Sequence, residues 1–205
     1  MSRLFLKLQR AVSRAEKNFI HSTSSGNIFL SERDYYHANA FCMMCHAEIE
    51  EYIEEIVRHT AKKNFQRIRN GKGKQTFVIH ILGWYVFEHL LEPDKISYEK
   101  LVAKYNKGSL FDILDDCQTS LNTMISKNHG IREENLKRLL CPLGIDLSML
   151  DQSWLNDMDS FGKLRGGFAH KGFGIQRSID PQEAILKVNA LLTGLKILDK
   201  RLCSL

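Results

Sequence analysis

Hydrophobic positions recur at three- and four-residue steps through most of this chain, the spacing of helices that bury one face. Leu4, Leu8, Val12, Ala15 and Phe19 predict a first helix over about residues 3–20, followed by a polar break, HSTSSGN, at 21–27. Ser31 with Asp34 three residues later reads as a capping box with a shortened acid. It opens a long second helix running to about residue 68, in which Phe41, Cys45, Ile49, Tyr52 and Ile56 form the stripe and Cys42, Ile53 and Val57 widen it.

Asn70-Gly71 and Gly73 mark the next loop. The run TFVIHILGWYVFEHLLE (76–92) is too apolar to show a period; its length, and the lack of neighbouring strands, favour a helix over a buried strand. Pro93-Asp94 breaks the chain. Residues 97–150 read as two or three short helices, with a loop around 127–131 and a stop at 141–145. A further helix spans about 152–168, and Asp180-Pro181 starts a last one with Ala184, Val188, Leu191, Leu192, Leu195 and Leu198 on its apolar side. The expectation is an all-α bundle with additional short helices, one domain over 1–205, in which 1–30 supply the first helix and polar break and 31–202 the core.

Composition fits that picture. Hydrophobic residues at 43% and charged residues at 26% suit a globular chain with a sizeable core, and the net charge of +5 permits an anionic partner without demanding one. Five cysteines, an odd and scattered count, read as free thiols in a reducing compartment. The basic start, free of acids before Glu16, has the spacing of a core-packed helix. It carries no continuous signal-peptide stretch and no membrane span, so a cytoplasmic location is expected.

The candidate chemistry lies in FGKLRGGFAHKGFG (161–174), where Arg165 and His170 are separated by four residues. Arginine can hold a phosphate, and histidine can move a proton near neutral pH. Spacing alone is weak evidence. Twelve Arg and eight His give roughly 1.4 such pairs by chance, and Arg14 with His21 is a second match, set aside because it lies on the first helix and the polar break. On a regular helix Arg165 and His170 stand about 140° apart, so they converge on one phosphate only if the helix loosens at Gly166-Gly167 or a second copy contributes.

The segment resembles the C-terminal motif of the HEPN superfamily, in which an Arg is followed after four to six residues by His, with Ala before that His and Gly shortly after; here these are Ala169 and Gly172. The run 135–172 looks like the branch associated with RNA-ligase and RNA-end-processing neighbourhoods, and HAEIEEYIEEI (46–56) looks like that branch's second helix, with Glu50 at its acidic position. The likeness covers most of residues 30–202. It implies a HEPN-like helical bundle, homodimeric, with endoribonuclease activity that needs no metal or cofactor. Arg165 and His170 would be catalytic, and Glu50 would orient one of them. Gly166 departs from the pattern, since many active members carry a polar residue after the Arg.

Other features keep two readings. Residues 58–74 hold seven Lys or Arg and no acid. Lys62, Lys63, Arg67 and Arg69, with Lys171 beside the motif, are candidate RNA-backbone contacts, or this run is a solvated helix end. Glu50 is an orienting acid, or one more exposed Glu in an acidic run. Cys42-Met43-Met44-Cys45-His46 has the c-type haem spacing, but both thiols fall on the core stripe and no second ligand pair suits zinc. His80, Glu88 and His89 are expected as satisfied polar groups within the core. The expected function is RNA cleavage by 2′-hydroxyl attack in a toxin, a defence effector or an RNA-processing factor, with an antitoxin or other defence-system protein as a possible partner. The alternatives are a HEPN RNA-binding module without cleavage, or a helical interaction or regulatory protein.

Overall fold

The computed structural model describes residues 1–20, 30–90, 106, 108–171 and 179–205, without the side chains of 89, 90 and 165–171. Seven α-helices account for most of them: α1 (Arg3–Phe19), α2 (Glu32–Arg69), α3 (Gln75–Leu90), α4 (Leu110–Ser126), α5 (Glu133–Leu140), α6 (Gln152–Lys171) and α7 (Pro181–Ser204). Two single-turn 3-10 helices, Cys141–Leu143 and Leu147–Met149, join α5 to α6. No strand occurs among the described residues. The architecture is all-α.

Local chemistry sets the ends. Ser31 N–H donates to Asp34 Oδ2 at 2.8 Å while Asp34 N–H donates to Ser31 Oγ at 3.4 Å, closing the capping box that starts α2. Asp180 Oδ1 accepts from the N–H groups of Gln182 (2.7 Å) and Glu183 (3.2 Å) at the start of α7, with Pro181 in the first turn.

Helix α2 is the axis of the bundle, and α1, α4, α5, α6 and α7 all pack on it. One core takes Phe5 from α1, Ile49 and Ile56 from α2, Leu121 from α4, Leu155 from α6 and Leu195 from α7. Asp199 is fully buried in α7 and ties three helices together. It accepts from Ser2 N–H at 2.8 Å, from the Ser2 hydroxyl, and from Tyr52 Oη at 3.0 Å. Burial, then the Asp199 charge, push the Tyr52 hydroxyl above its ordinary pKa, so it stays a donor.

The most apolar helix is not the most buried. α3 packs on the first 3-10 turn and on α4. Phe77 and Ile81 are buried, whereas Ile79 and Phe87 are each 66% exposed. His80 and Glu88 are exposed too, which corrects the expectation that they are core polar groups. A helix apolar all round can bury only the sides that neighbours cover, and neighbours leave both polar side chains exposed here. His80 lies against Gly144, whose φ of +79° and close approach leave no room for a side chain. His89 lies outside the described side chains.

The cysteines divide sharply. Cys42, Cys45 and Cys117 are buried, and Cys141 and Cys203 are exposed. Burial raises the Cys42 and Cys117 thiols to about 12 and Cys45 higher still, so all three are protonated core groups. The haem-like spacing is core packing.

Candidate functional site

The motif-bearing helix is held at three points before it reaches Arg165. At its first turn the Trp154 indole N–H donates to Leu191 C=O at 3.1 Å, and the ring lies over Gly194, where a Cβ would collide with it. Halfway along, Asp159 accepts from Arg132 Nε at 3.0 Å and from Lys163 Nζ at 2.6 Å. Those two cations, Lys163 first, hold its carboxyl below the usual carboxylate range. Two residues further, Phe161 stacks on His46 of α2, with ring centroids 6.2 Å apart and planes 19° apart. His46 in turn has Nδ1 3.6 Å from Glu50 Oε2, one helical turn on.

This places Glu50 with some economy. His46 is buried, whereas the Glu50 side chain keeps 14% of its surface exposed. The sequence put Glu50 at the edge of the α2 stripe, and it lies there. Reading the sequence missed His46 and Phe161 as its supports. The available signal was the four-residue step in each helix: His46 precedes Glu50 by one turn, and Phe161 precedes Arg165 by one turn.

The backbone of α6 stays helical through Gly166 and Gly167 to Lys171, about three residues beyond the expected end. A glycine lowers helix stability by about 1 kcal/mol but does not forbid the conformation. On this register position 165 lies about 40° from Phe161, on the side of α6 that meets α2, and position 170 about 180° from it. The side chains of Arg165, His170 and Lys171 lie outside the described residues. Beside the anchored half of α6, a largely apolar groove of about 370 Å³ opens against α7, lined by Asp157, Ser160, Phe161, Leu164, Leu186 and Lys187.

The basic run at the end of α2 has partners that neither sequence reading supplied. Lys63 Nζ donates to Cys203 C=O at 3.4 Å, Arg67 to Leu205 C=O at 3.0 Å and Lys74 Nζ to Ser204 C=O at 2.9 Å. Three cations thus clamp the C-terminal end of α7, where carbonyls lack helical partners and the dipole is negative. Arg69 pairs with Asp115 and donates to Gln118 at 3.2 Å. Lys62 is exposed.

The described residues form an all-α bundle whose sixth helix contains positions 165 and 170. The sequence profile of the RiboL-PSP-HEPN family matches residues 8–204, from within α1 to the last residue of α7, and the chain belongs to that family. No curated protein and no solved structure matches it. Among the described residues, no helix is long and apolar enough to cross a membrane.

Proposed function

We propose that this protein is a metal-independent endoribonuclease whose reaction centre is built from Arg165 and His170, with Glu50 as a positioning residue. The carrying observation is the arrangement of α6. Its anchored half stacks Phe161 on His46, the residue one turn before Glu50 in α2, and its continuous helical backbone carries the chain on to position 165 one turn later. In this reading Glu50 orients Arg165 or His170. His170 removes the proton of a ribose 2′-hydroxyl or protonates the leaving 5′-oxygen as the O2′–P bond forms and the P–O5′ bond breaks; Arg165 balances the charge growing on the phosphorane. The products are a 2′,3′-cyclic phosphate and a 5′-hydroxyl.

A regular helix separates the two positions by about 140°, so one phosphate meets both residue types most readily between two copies. The proposed assembly is a homodimer with 161–174 of both chains at a shared cleft. Lys171 and the cations of 58–74 add positive potential; those bound to backbone carbonyls keep their charge. A toxin, defence or RNA-processing role in the cytoplasm, with an antitoxin-like partner, is suggested by the family alone. Gly166, where active members often carry a polar residue, favours a second reading: an RNA-binding module that does not cleave.

The test is RNA cleavage with chelator present. Wild type should cut RNA but not 2′-O-methyl RNA. His170→Ala should lose about 10²-fold or more in rate, the usual range for an acid–base group. Arg165→Lys should also fail largely, since a point charge does not reproduce the guanidinium fork. Cleavage at the wild-type rate by His170→Ala would replace this reading with the binding module.

A further inference from the structure

The most ordered array of unpaired charge lies away from the motif, on α1. Arg3, Lys7, Arg10, Arg14 and Lys17 recur at four- and three-residue steps, and all five are exposed. On a helix these positions fall within an arc of about 80° and extend over about 21 Å. With Ser13 they line a shallow open groove of about 490 Å³. Lys7 is committed to Glu51 of α2 at 2.7 Å. Arg3, Arg10, Arg14 and Lys17 have no carboxylate partner among the described residues.

We infer that this outward face of α1 is a docking surface for the sugar–phosphate backbone of RNA, separate from the Arg165–His170 centre. The choice of RNA as the polyanion rests on the proposed function; the surface itself does not. Two observations favour a nucleic-acid backbone over an anionic membrane. The apolar face of α1 (Phe5, Leu8, Ala11, Val12, Ala15) is buried in the core, so the helix has almost nothing to insert between lipids. Its position is also fixed at both levels: Ser2 is bonded to buried Asp199, and Phe5 meets Tyr52 edge-on at 5.7 Å. A rigid row of cations suits a chain of phosphates.

The surface has a direction. Glu48, Glu51 and Glu55 of α2 flank the groove beside Lys7 and raise the pKa of that lysine, Glu51 most. They repel a polyanion on that edge and leave Arg3, Arg10, Arg14 and Lys17 as its track. His46 and Glu51 are about 140° apart around α2, the first stacked on Phe161 of α6 and the second paired with Lys7 of α1. The α1 track thus lies round the side of the axial helix from the candidate centre, where it would hold an RNA beyond the bond to be cut. Arginine and lysine contacts to phosphate carry no base information, so the effect is on affinity for any RNA.

The experiment measures binding of an uncleavable 2′-O-methyl RNA of about 25 nucleotides by the full chain across a salt series. Wild type is compared with the quadruple variant Arg3→Gln, Arg10→Gln, Arg14→Gln, Lys17→Gln. Each lost phosphate contact lowers the slope of log affinity on log salt by about 0.7, so four should lower it by about 2.8, with affinity at 0.1 M salt down tenfold or more. If the quadruple variant does not fold, Arg10→Gln with Arg14→Gln should give a change of about 1.4. An unchanged slope in a folded variant overturns the inference. So does failure of wild type to bind the RNA while vesicles containing phosphatidylserine capture it. If instead the RNA slope falls as expected and His170→Ala cleaves like wild type, the docking surface stands and the nuclease reading fails.

Discussion

Two basic regions of this molecule look alike in composition and differ in what surrounds them. Residues 58–74 hold the densest run of Lys and Arg, yet Lys63, Arg67 and Lys74 point into the C-terminal end of α7, and Arg69 is paired with Asp115. The α1 row is thinner along the sequence but stands on one face, four of its five cations without an acid among the described residues. A cation bonded to helix-end carbonyls acts first on stability, and one facing solvent acts first on partners. Density along the chain predicts neither; spacing on a helix and the chemistry opposite decide.

The comparison can be broken most severely at Asp199, the buried acceptor that anchors α1. Asp199→Ala leaves Tyr52 Oη buried without its acceptor and frees Ser2. It should cost about 2–4 kcal/mol and lower Tm by roughly 5–15 °C in thermal denaturation. A Tm within a degree of wild type would mean that α1 is not held this way. Next comes the clamp. Replacing Lys63, Arg67 and Lys74 together by Gln should cost about 1–2 kcal/mol, the sum of three charge–dipole contacts, read from urea midpoints. The α1 pair Arg10→Gln with Arg14→Gln should stay within about 0.5 kcal/mol. Equal losses from both sets would erase the distinction.

The smallest effect separates the clamp from the acid pairs by pH. The Asp159 carboxyl lies below its ordinary value of about 3.9, so its pairing with Lys163 and Arg132 is fully present above that value and is lost as the pH falls through the lower folded one. In the clamp, Lys63 and Lys74 meet the Cys203 and Ser204 carbonyls, which do not titrate. Between pH 5 and pH 2, Asp159→Asn should therefore flatten the stability profile slightly, and Lys74→Gln should shift it without changing its shape. Urea midpoints at four pH values would show which occurs.

The fold was largely legible in the sequence because its determinants are local or periodic. The α2 stripe, the Ser31–Asp34 box and Asp180-Pro181 each state an element within a few residues. Contacts that are neither local nor periodic were not. Nothing near Asp199 marks it as the acceptor for Ser2, 197 residues away. Lys63 and Arg67 meet backbone carbonyls, and a carbonyl has no sequence signature. In α3 the pattern carried no period, so it could not say which side would be covered, and His80 and Glu88 were misplaced for that reason. At the candidate site the Glu50 position was readable from the edge of a stripe, whereas the His46–Phe161 stack required knowing which helices cross.

The division of the cysteines turns the chain into a recorder of its own breathing. Alkylation needs a thiolate in contact with solvent, so in the native state reagent should reach Cys141 and Cys203 while Cys42, Cys45 and Cys117 wait for an opening. Two of the protected thiols lie on α2 and the third on α4. Their separate labelling rates would therefore distinguish a fluctuation that lifts α4 from one that opens the axial helix. A local excursion would mark Cys117 ahead of the other two, and a global one would mark all three together, giving a map of cooperative units without a single added probe.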